Sequence, residues 1–230
     1  MTAALAIFVK TPGLSPVKTR LATGVGAQAA LQFHQLAAAA TAEVARCCEA
    51  WVTPYWAIAE AGPVAAARWP GFASLHQGES QLGERLHKVY VQLLLRQARV
   101  LLIGADAPQL TARLLRAALA VLDDPRTPFV IGDASDGGFW LFGGRQPVPR
   151  ELWTGVRYSQ PHTASDFRRM LAPLGAIGTV GCLTDVDRAD DLPALRLALL
   201  AVADPLPAQQ RLLEWLDVVV SSIPSMAGEP

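Results

Sequence analysis

The stretch Val100-Leu-Leu-Ile-Gly-Ala-Asp-Ala-Pro-Gln109 decides the fold. Its apolar run stops at Gly104, and a lone carboxylate, Asp106, stands before Pro108. A short continuous apolar run bounded by glycine and proline reads as a strand buried on both faces. In open α/β sheets, ligands bind just beyond the carboxyl ends of the strands. Asp106 stands at such an end. It suits a hard cation, Mg²⁺ or Mn²⁺, carrying a phosphate. It equally suits the cap of a helix beginning near Thr111, or the turn itself.

Outward from this strand, apolar strand-like runs alternate with helical ones. Strands are expected at Leu5–Val9, Trp51–Ala59, Phe72–His76, Phe129–Ile131, Phe139–Phe142 and Ile177–Val180. Pro54 marks the second as an edge or a bulge. Helices are expected at Ala27–Ala50, Gln81–Arg96, Thr111–Leu122, Pro161–Leu174, Asp190–Val202 and Gln209–Val218. Alternation of this kind predicts a three-layer αβα sandwich on a mostly parallel sheet. The short link between Phe129–Ile131 and Phe139–Phe142 predicts one local antiparallel strand. No repeat or linker divides the chain. A single domain over 1–220 is expected, with a frayed tail at 221–230.

The composition agrees. The chain has 230 residues, 51% of them hydrophobic and only 17% charged, with a formal net charge of zero. Such a chain buries on the order of 70% of its unfolded surface, and nothing in its charge points to nucleic acid or an anionic membrane surface. No run approaches the roughly 18 apolar residues of a membrane span. The N-terminus lacks a signal peptide's cationic start. Cys47, Cys48 and Cys182 form neither a disulfide framework nor a zinc pattern, so buried, reduced thiols in a cytoplasmic protein are expected.

Four segments carry chemistry. The first is Lys10-Thr-Pro-Gly-Leu-Ser-Pro-Val-Lys-Thr-Arg20. It lies within an acid-free opening of 42 residues and follows the first strand. Its glycine and two prolines argue against regular structure. Lys10, Thr11, Pro12, Gly13, Lys18, Thr19 and Arg20 are candidate phosphate-binding residues, because Gly13 permits close backbone approach and lysine and arginine bind phosphate oxygens. A solvated basic loop is the bland alternative. No Walker A spacing is present. The second is Gly132-Asp-Ala-Ser-Asp-Gly-Gly-Phe-Trp140, where Asp136, Gly137 and Gly138 make either a turn or a seat for a sugar or nucleotide. The third is Leu183-Thr-Asp-Val-Asp187, whose Asp185 and Asp187 offer a second carboxylate to a metal at Asp106; Asp190 and Asp191 favour the following helix start. The fourth is Gln77-Gly-Glu-Ser-Gln-Leu-Gly-Glu-Arg85, a turn before a helix N-terminus, where Gly83 and Arg85 join Gly104 as candidates for the nucleotide. Tyr158, in Thr154–Pro161, is a candidate acceptor contact. The four histidines lack metal spacing and read as ordinary. No nucleophile elbow or redox motif occurs.

Together, Phe8-Val-Lys-Thr-Pro-Gly13, Val17-Lys-Thr-Arg-Leu21, Gln77-Gly with Gln81-Leu-Gly-Glu-Arg85, Ile103-Gly-Ala-Asp-Ala-Pro108, Asp136-Gly-Gly-Phe139, Thr184-Asp-Val-Asp187 and Asp191-Leu192 resemble the bacterial DUF2064 proteins. These are nucleotide-diphospho-sugar transferases by superfamily, of GT-A fold, and are often labelled glycosyltransferases. The resemblance spans about residues 5 to 192. It implies a metal-dependent transferase using Mg²⁺ or Mn²⁺, a nucleotide sugar and a small-molecule acceptor. Asp106 and one of Asp185 and Asp187 would be metal ligands, Lys18 and Arg20 would meet phosphates, and Asp136 would orient the sugar or act as base. The sequence departs from the family at Phe139-Trp140, where tyrosines are usual, and at Ala107, where a small hydroxyl residue is usual. The Lys18-Thr19-Arg20 segment is also similar to that of the guanylyltransferases, which implies a nucleotidyl-transfer alternative with an NTP as substrate and Lys18 at the α-phosphate. A non-catalytic nucleotide-binding module is the third reading.

Overall fold

The structure, a computed structural model, describes residues 2–222. Among them, one seven-stranded sheet runs in the order β3-β2-β1-β4-β6-β5-β7. Its strands are β1 (Ala3–Val9), β2 (Val52–Ile58), β3 (Ala73–His76), β4 (Val100–Gly104), β5 (Phe129–Ala134), β6 (Phe139–Gly144) and β7 (Ile177–Leu183). All neighbours pair in parallel except β6, which runs antiparallel to both β4 and β5. This is the local antiparallel strand that the short link foretold. The turn that makes it possible places Gly137 at φ 86°, where a side chain is disfavoured.

Side chains alternate across each strand, and here both faces are buried. From β1, Leu5 and Ile7 enter one core while Ala4 and Ala6 enter the other. From β4, Leu101 and Ile103 oppose Val100 and Leu102 in the same way. Helices α2 (Ala27–Cys47) and α5 (Ala112–Asp123) cover the first face. Helices α4 (Leu82–Leu94), α6 (Arg150–Thr154) and α7 (Thr163–Leu171) cover the second, around a fully buried Trp153. A third cluster joins α1 (Thr19–Val25) and α2 to α8 (Leu192–Leu200) and α9 (Pro207–Ser222). The result is the three-layer αβα arrangement.

Several local expectations needed correction. Thr19 and Arg20 open helix α1 rather than close an irregular loop, because the prolines lie upstream and only the acid-free, alanine-containing stretch after Lys18 is helical. The short helices α3 (Pro63–Ala67) and α6 are too brief to show a period in sequence. Helix α7 starts at Thr163, two residues after Pro161, and ends in a 3₁₀ turn over Ala172–Leu174. Pro54 sits within β2, an inner strand, but β3 pairs only with Tyr55–Ile58, so at Pro54 the sheet has no neighbour on that side. Thr111 does cap α5, its hydroxyl accepting the Leu114 N–H at 3.3 Å. Cys48 is buried, whereas Cys47 and Cys182 are exposed. Beyond Ser222, the expected tail lies outside the described residues.

Because six strands point one way, their carboxyl ends gather at one edge. Val9, Ile58, His76, Gly104, Ala134 and Leu183 all end there, and the β5–β6 turn projects from the same edge.

Candidate functional site

That edge holds an open cleft of about 560 Å³. Its floor is an ion pair. Lys18 adopts a left-handed conformation, φ 48° and ψ 41°, at the N-cap of α1. A non-glycine residue held there costs of order 1–2 kcal/mol. The bend turns its side chain inward, where it is 8% exposed and its Nζ lies 2.9 Å from Asp106 Oδ2. The ammonium also donates to the Val186 carbonyl and lies 5.6 Å from the centre of the Phe33 ring. Asp106 remains 39% exposed to the cleft.

Three loops are tied together around this pair. The Val186 N–H donates to the Asp106 carbonyl at 3.2 Å, Gln109 Nε2 donates to the Thr184 carbonyl at 2.8 Å, and the Ser135 N–H donates to the Leu183 carbonyl at 2.9 Å. The loops after β4 and β7 and the β5–β6 turn are therefore one unit. Asp185 belongs to it, and its Oδ1 is buried without a hydrogen-bond partner. Burial first, and the Asp106 carboxylate second, push its carboxyl up to about 7, against the pull of Lys18. Asp187 turns outward to Arg20 at 2.6 Å. Asp191 accepts the Asp187 and Arg188 N–H groups at 2.8 and 2.7 Å, capping the turn that leads into α8.

The β1 loop is braced from below. Glu60 Oε2 accepts the Thr11 N–H at 2.8 Å, and Trp69 Nε1 donates to Thr11 Oγ1 at 3.0 Å. Burial would raise the Glu60 carboxyl, but hydrogen bonds from Ser15 and Thr11 outweigh it and hold it low. His34, on α2, bonds the Lys10 carbonyl through Nε2 at 3.0 Å. Burial pushes its pKa down, only partly offset by Asp106. Gln77, at the end of β3, donates Nε2 to the Val9 and Ala57 carbonyls at 3.2 and 2.7 Å.

The opposite wall is aromatic. Asp136 Oδ1 accepts the Gly138 N–H at 2.8 Å and shapes the turn, with its other oxygen uncommitted. Phe139 and Tyr158 meet edge to face, their ring centres 6.5 Å apart. The Tyr158 hydroxyl donates to the Trp153 carbonyl at 3.0 Å, and burial raises its pKa, so it offers a ring rather than an acid. Trp140 is fixed by its Nε1 bond to the Gly181 carbonyl at 2.9 Å.

Of the residues singled out in sequence, Lys10, Lys18, Thr19, Arg20, Arg85, Gly104, Asp106, Asp136, Gly138, Tyr158, Asp185 and Asp187 line the cleft. Five do not. Thr11 is buried under the loop, and Pro12 faces a second cavity. Gly13 gives the loop its positive φ of 85°. A Cβ at Gly83 would lie 2.4 Å from the Trp153 carbonyl oxygen, and one at Gly137 would lie 1.9 Å from that of Pro161. Both of these glycines are demanded by close backbone packing. His34 and Gln77 also line the cleft, although in sequence His34 reads as ordinary and Gln77 only as part of a turn before a helix; Phe33, beside Lys18, reads only as part of α2. The available signal was a histidine on the apolar face of α2, beside Phe33 and Ala37-Ala38.

An unpartnered buried carboxylate oxygen beside a second carboxylate is the donor chemistry of a hard divalent cation. Asp106 and Asp185 meet that description, whereas Asp187 is committed to Arg20. No group of three or more such ligands is preassembled among the described residues.

With the site in view, comparison with known proteins places the chain. A model of the family described as an uncharacterized protein conserved in bacteria, DUF2064, matches residues 30–160. The chain belongs to the DUF2064 family. A crystal structure from Desulfovibrio desulfuricans G20, named a "putative nucleotide-diphospho-sugar transferase", superposes with a TM-score of 0.84 at 22% identity, covering 96% of this chain and 98% of that one. A cytidylyltransferase from Leptospira borgpetersenii superposes at 0.57 with 12% identity, covering all of both chains. CMP:2-keto-3-deoxy-manno-octonic acid synthetase complexed with CTP superposes at 0.51 with 14% identity, covering 87% and 99%. A comparison with curated proteins finds no match. At these identities the likeness establishes the fold alone, the three-layer αβα fold that this chain shares with all three structures. Among the described residues, no helix is long and apolar enough to cross a membrane.

Proposed function

We propose that this DUF2064 protein is a transferase that takes a nucleotide-activated sugar and passes the glycosyl group to a small-molecule acceptor. One observation carries the reading. The cationic loop after β1 and the strand-end carboxylate meet at Lys18 and Asp106, 2.9 Å apart, on the floor of a cleft whose other wall is aromatic. Phosphates belong on the cationic side, and a sugar face packs well on the rings of Phe139 and Tyr158.

In this reading Lys10, Arg20 and Arg85 bind and orient the diphosphate at the mouth, and Lys18 meets it deeper in the cleft. Asp136 keeps one oxygen on the Gly138 N–H and uses the other to take the proton of the acceptor hydroxyl. A bond forms between the acceptor's hydroxyl oxygen and the anomeric carbon as the bond from this carbon to the phosphate oxygen breaks. The nucleoside diphosphate leaves with the electron pair, and its charge is met by Lys18 and Arg20. A Mg²⁺ or Mn²⁺ held by Asp106 and Asp185 would add to that neutralisation.

Nucleotidyl transfer is the second reading. It draws support from the cytidylyltransferase and the CTP-bound synthetase that share the fold. Here Lys18 would stabilise the α-phosphate while a phosphorylated substrate displaces pyrophosphate.

Thermal melts with Mg²⁺ or Mn²⁺ separate the two, because a ligand that binds only the folded chain raises Tm. UDP- or GDP-sugars should raise Tm and free NTPs should not. Stabilisation by GTP or CTP alone, with pyrophosphate released, supports the second reading. No shift with any nucleotide overturns both.

A further inference from the structure

A second cavity, of about 290 Å³, opens beside helix α2 and shares no lining residue with the cleft that holds the Lys18–Asp106 pair. Its walls are three alanines of α2 (Ala38, Ala39 and Ala42), the Trp56–Trp69 pair, and two arginines, Arg46 and Arg68. The tryptophan rings pack tilted against each other at 5.0 Å and spend their N–H groups on the Pro70 carbonyl and on Thr11. They therefore present an apolar floor.

The charge around this floor is one-sided. No Asp or Glu lines the cavity. Neither the Arg46 nor the Arg68 side chain has an ion pair or hydrogen bond to a protein acceptor among the described residues. Arg46 is nevertheless held in place, its guanidinium 5.4 Å from the centre of the Phe72 ring and against Gly71. A guanidinium fixed by stacking has lost part of its rotamer freedom and keeps its N–H donors for a ligand. This held fork and the exposed Arg68 beside the same aromatic floor match a phosphate group carried on a flat apolar body.

We propose that this cavity is a second ligand site, for a small phosphate monoester with a flat apolar body. Arg46 and Arg68 bind the phosphate, and the alanine stripe and tryptophan floor take the body. The site stands whichever bond the main cleft breaks. Its location gives it a route to that cleft, since its wall includes Pro12 and its Trp69 holds Thr11, both in the loop that carries Lys10 and Lys18.

The test uses the full chain and two probes, phenyl phosphate and inorganic phosphate, by titration calorimetry. Phenyl phosphate should bind at least tenfold tighter than inorganic phosphate, and the double variant Arg46→Gln/Arg68→Gln should lose that binding by tenfold or more. The Arg20→Gln variant, altered in the main cleft, should retain it. Equal affinity in the wild type and the double variant overturns the proposal, as does binding lost in Arg20→Gln alone. Inorganic phosphate binding as tightly as phenyl phosphate removes the apolar body from it and overturns it in this form. Arg46 packs on Phe72, so Arg68→Gln alone provides a second check. Arg68 is exposed and unpaired, its loss should leave Tm unchanged, and phenyl phosphate affinity should still fall severalfold; an unchanged affinity there counts against the site.

Discussion

Lys18 Nζ lies 2.9 Å from Asp106 Oδ2, joining the loop after the first strand to the loop after the fourth at the floor of the cleft. The lysine achieves this from a left-handed backbone, so position 18 combines strain with charge. The two can be separated by substitution. Glycine relieves the backbone and alanine does not, and both remove the ammonium. Lys18→Gly should be more stable than Lys18→Ala by about 1 kcal/mol in urea unfolding. Both should lose nucleotide binding by tenfold or more in calorimetry. Retained nucleotide affinity in either variant would remove Lys18 from the phosphate site.

Asp106→Asn keeps the shape of the side chain and removes its charge. If Asp106 serves a cation, nucleotide-dependent stabilisation that requires Mg²⁺ or Mn²⁺ should vanish, while the metal-free Tm moves by only a few degrees. At ligand concentrations of about a hundred times Kd, the lost stabilisation amounts to about 2.7 kcal/mol. An Asp106→Asn protein that still responds to nucleotide and metal as the wild type does would return Asp106 to a purely structural pairing with Lys18.

The architecture was open to sequence reading because the strongest signals were the buried strands themselves. Val100–Gly104 is apolar at every position before its glycine because both of its faces are covered. The antiparallel β6 could be placed because so few residues separate it from β5. What stayed hidden were contacts between segments far apart in the chain. Nothing local to Asp106 announces that Lys18 will reach it, and nothing local to Asp185 announces a buried oxygen without a partner. Gly83 stands in a motif that reads as nucleotide-binding, yet the atom it makes room for is the Trp153 carbonyl. His34 looked ordinary because its partner is a backbone carbonyl, which leaves no trace in sequence.

Gly83 therefore gives a prediction about folding rather than binding. A Cβ there would sit 2.4 Å from the Trp153 carbonyl oxygen, with the Tyr158 ring at 3.0 Å. Backbone cannot yield cheaply at such a distance, so helices α4 and α6 must part. Gly83→Ala should cost about 1–3 kcal/mol, as overpacking usually does, although alanine is the better helix former. Urea unfolding measures this directly. A neutral or stabilising Gly83→Ala would mean that the two helices are not in contact as described.

The last prediction concerns acid. His34 is buried, and burial sets its folded pKa below the ordinary 6.5. The unfolded chain therefore takes up a proton before the folded one does. The stability held by neutral His34 is complete above about pH 6.5 and falls as the pH drops from there toward the folded value, by at most about 1.4 kcal/mol per pH unit. His87, also lowered by burial, adds to the same slope. Glu60 and Glu84, whose folded pKa values lie below 4.5, act only in a more acidic window. Asp185, whose carboxyl is pushed up to about 7, opposes this slope in the same window, because the folded chain takes up that proton first. The His34 contribution is therefore read as a difference: from pH 7.5 to 5.0 the urea midpoint of the wild type should fall relative to that of His34→Gln, whose amide can still donate to the Lys10 carbonyl. Parallel slopes for the two proteins would show that His34 is not held neutral in the folded state.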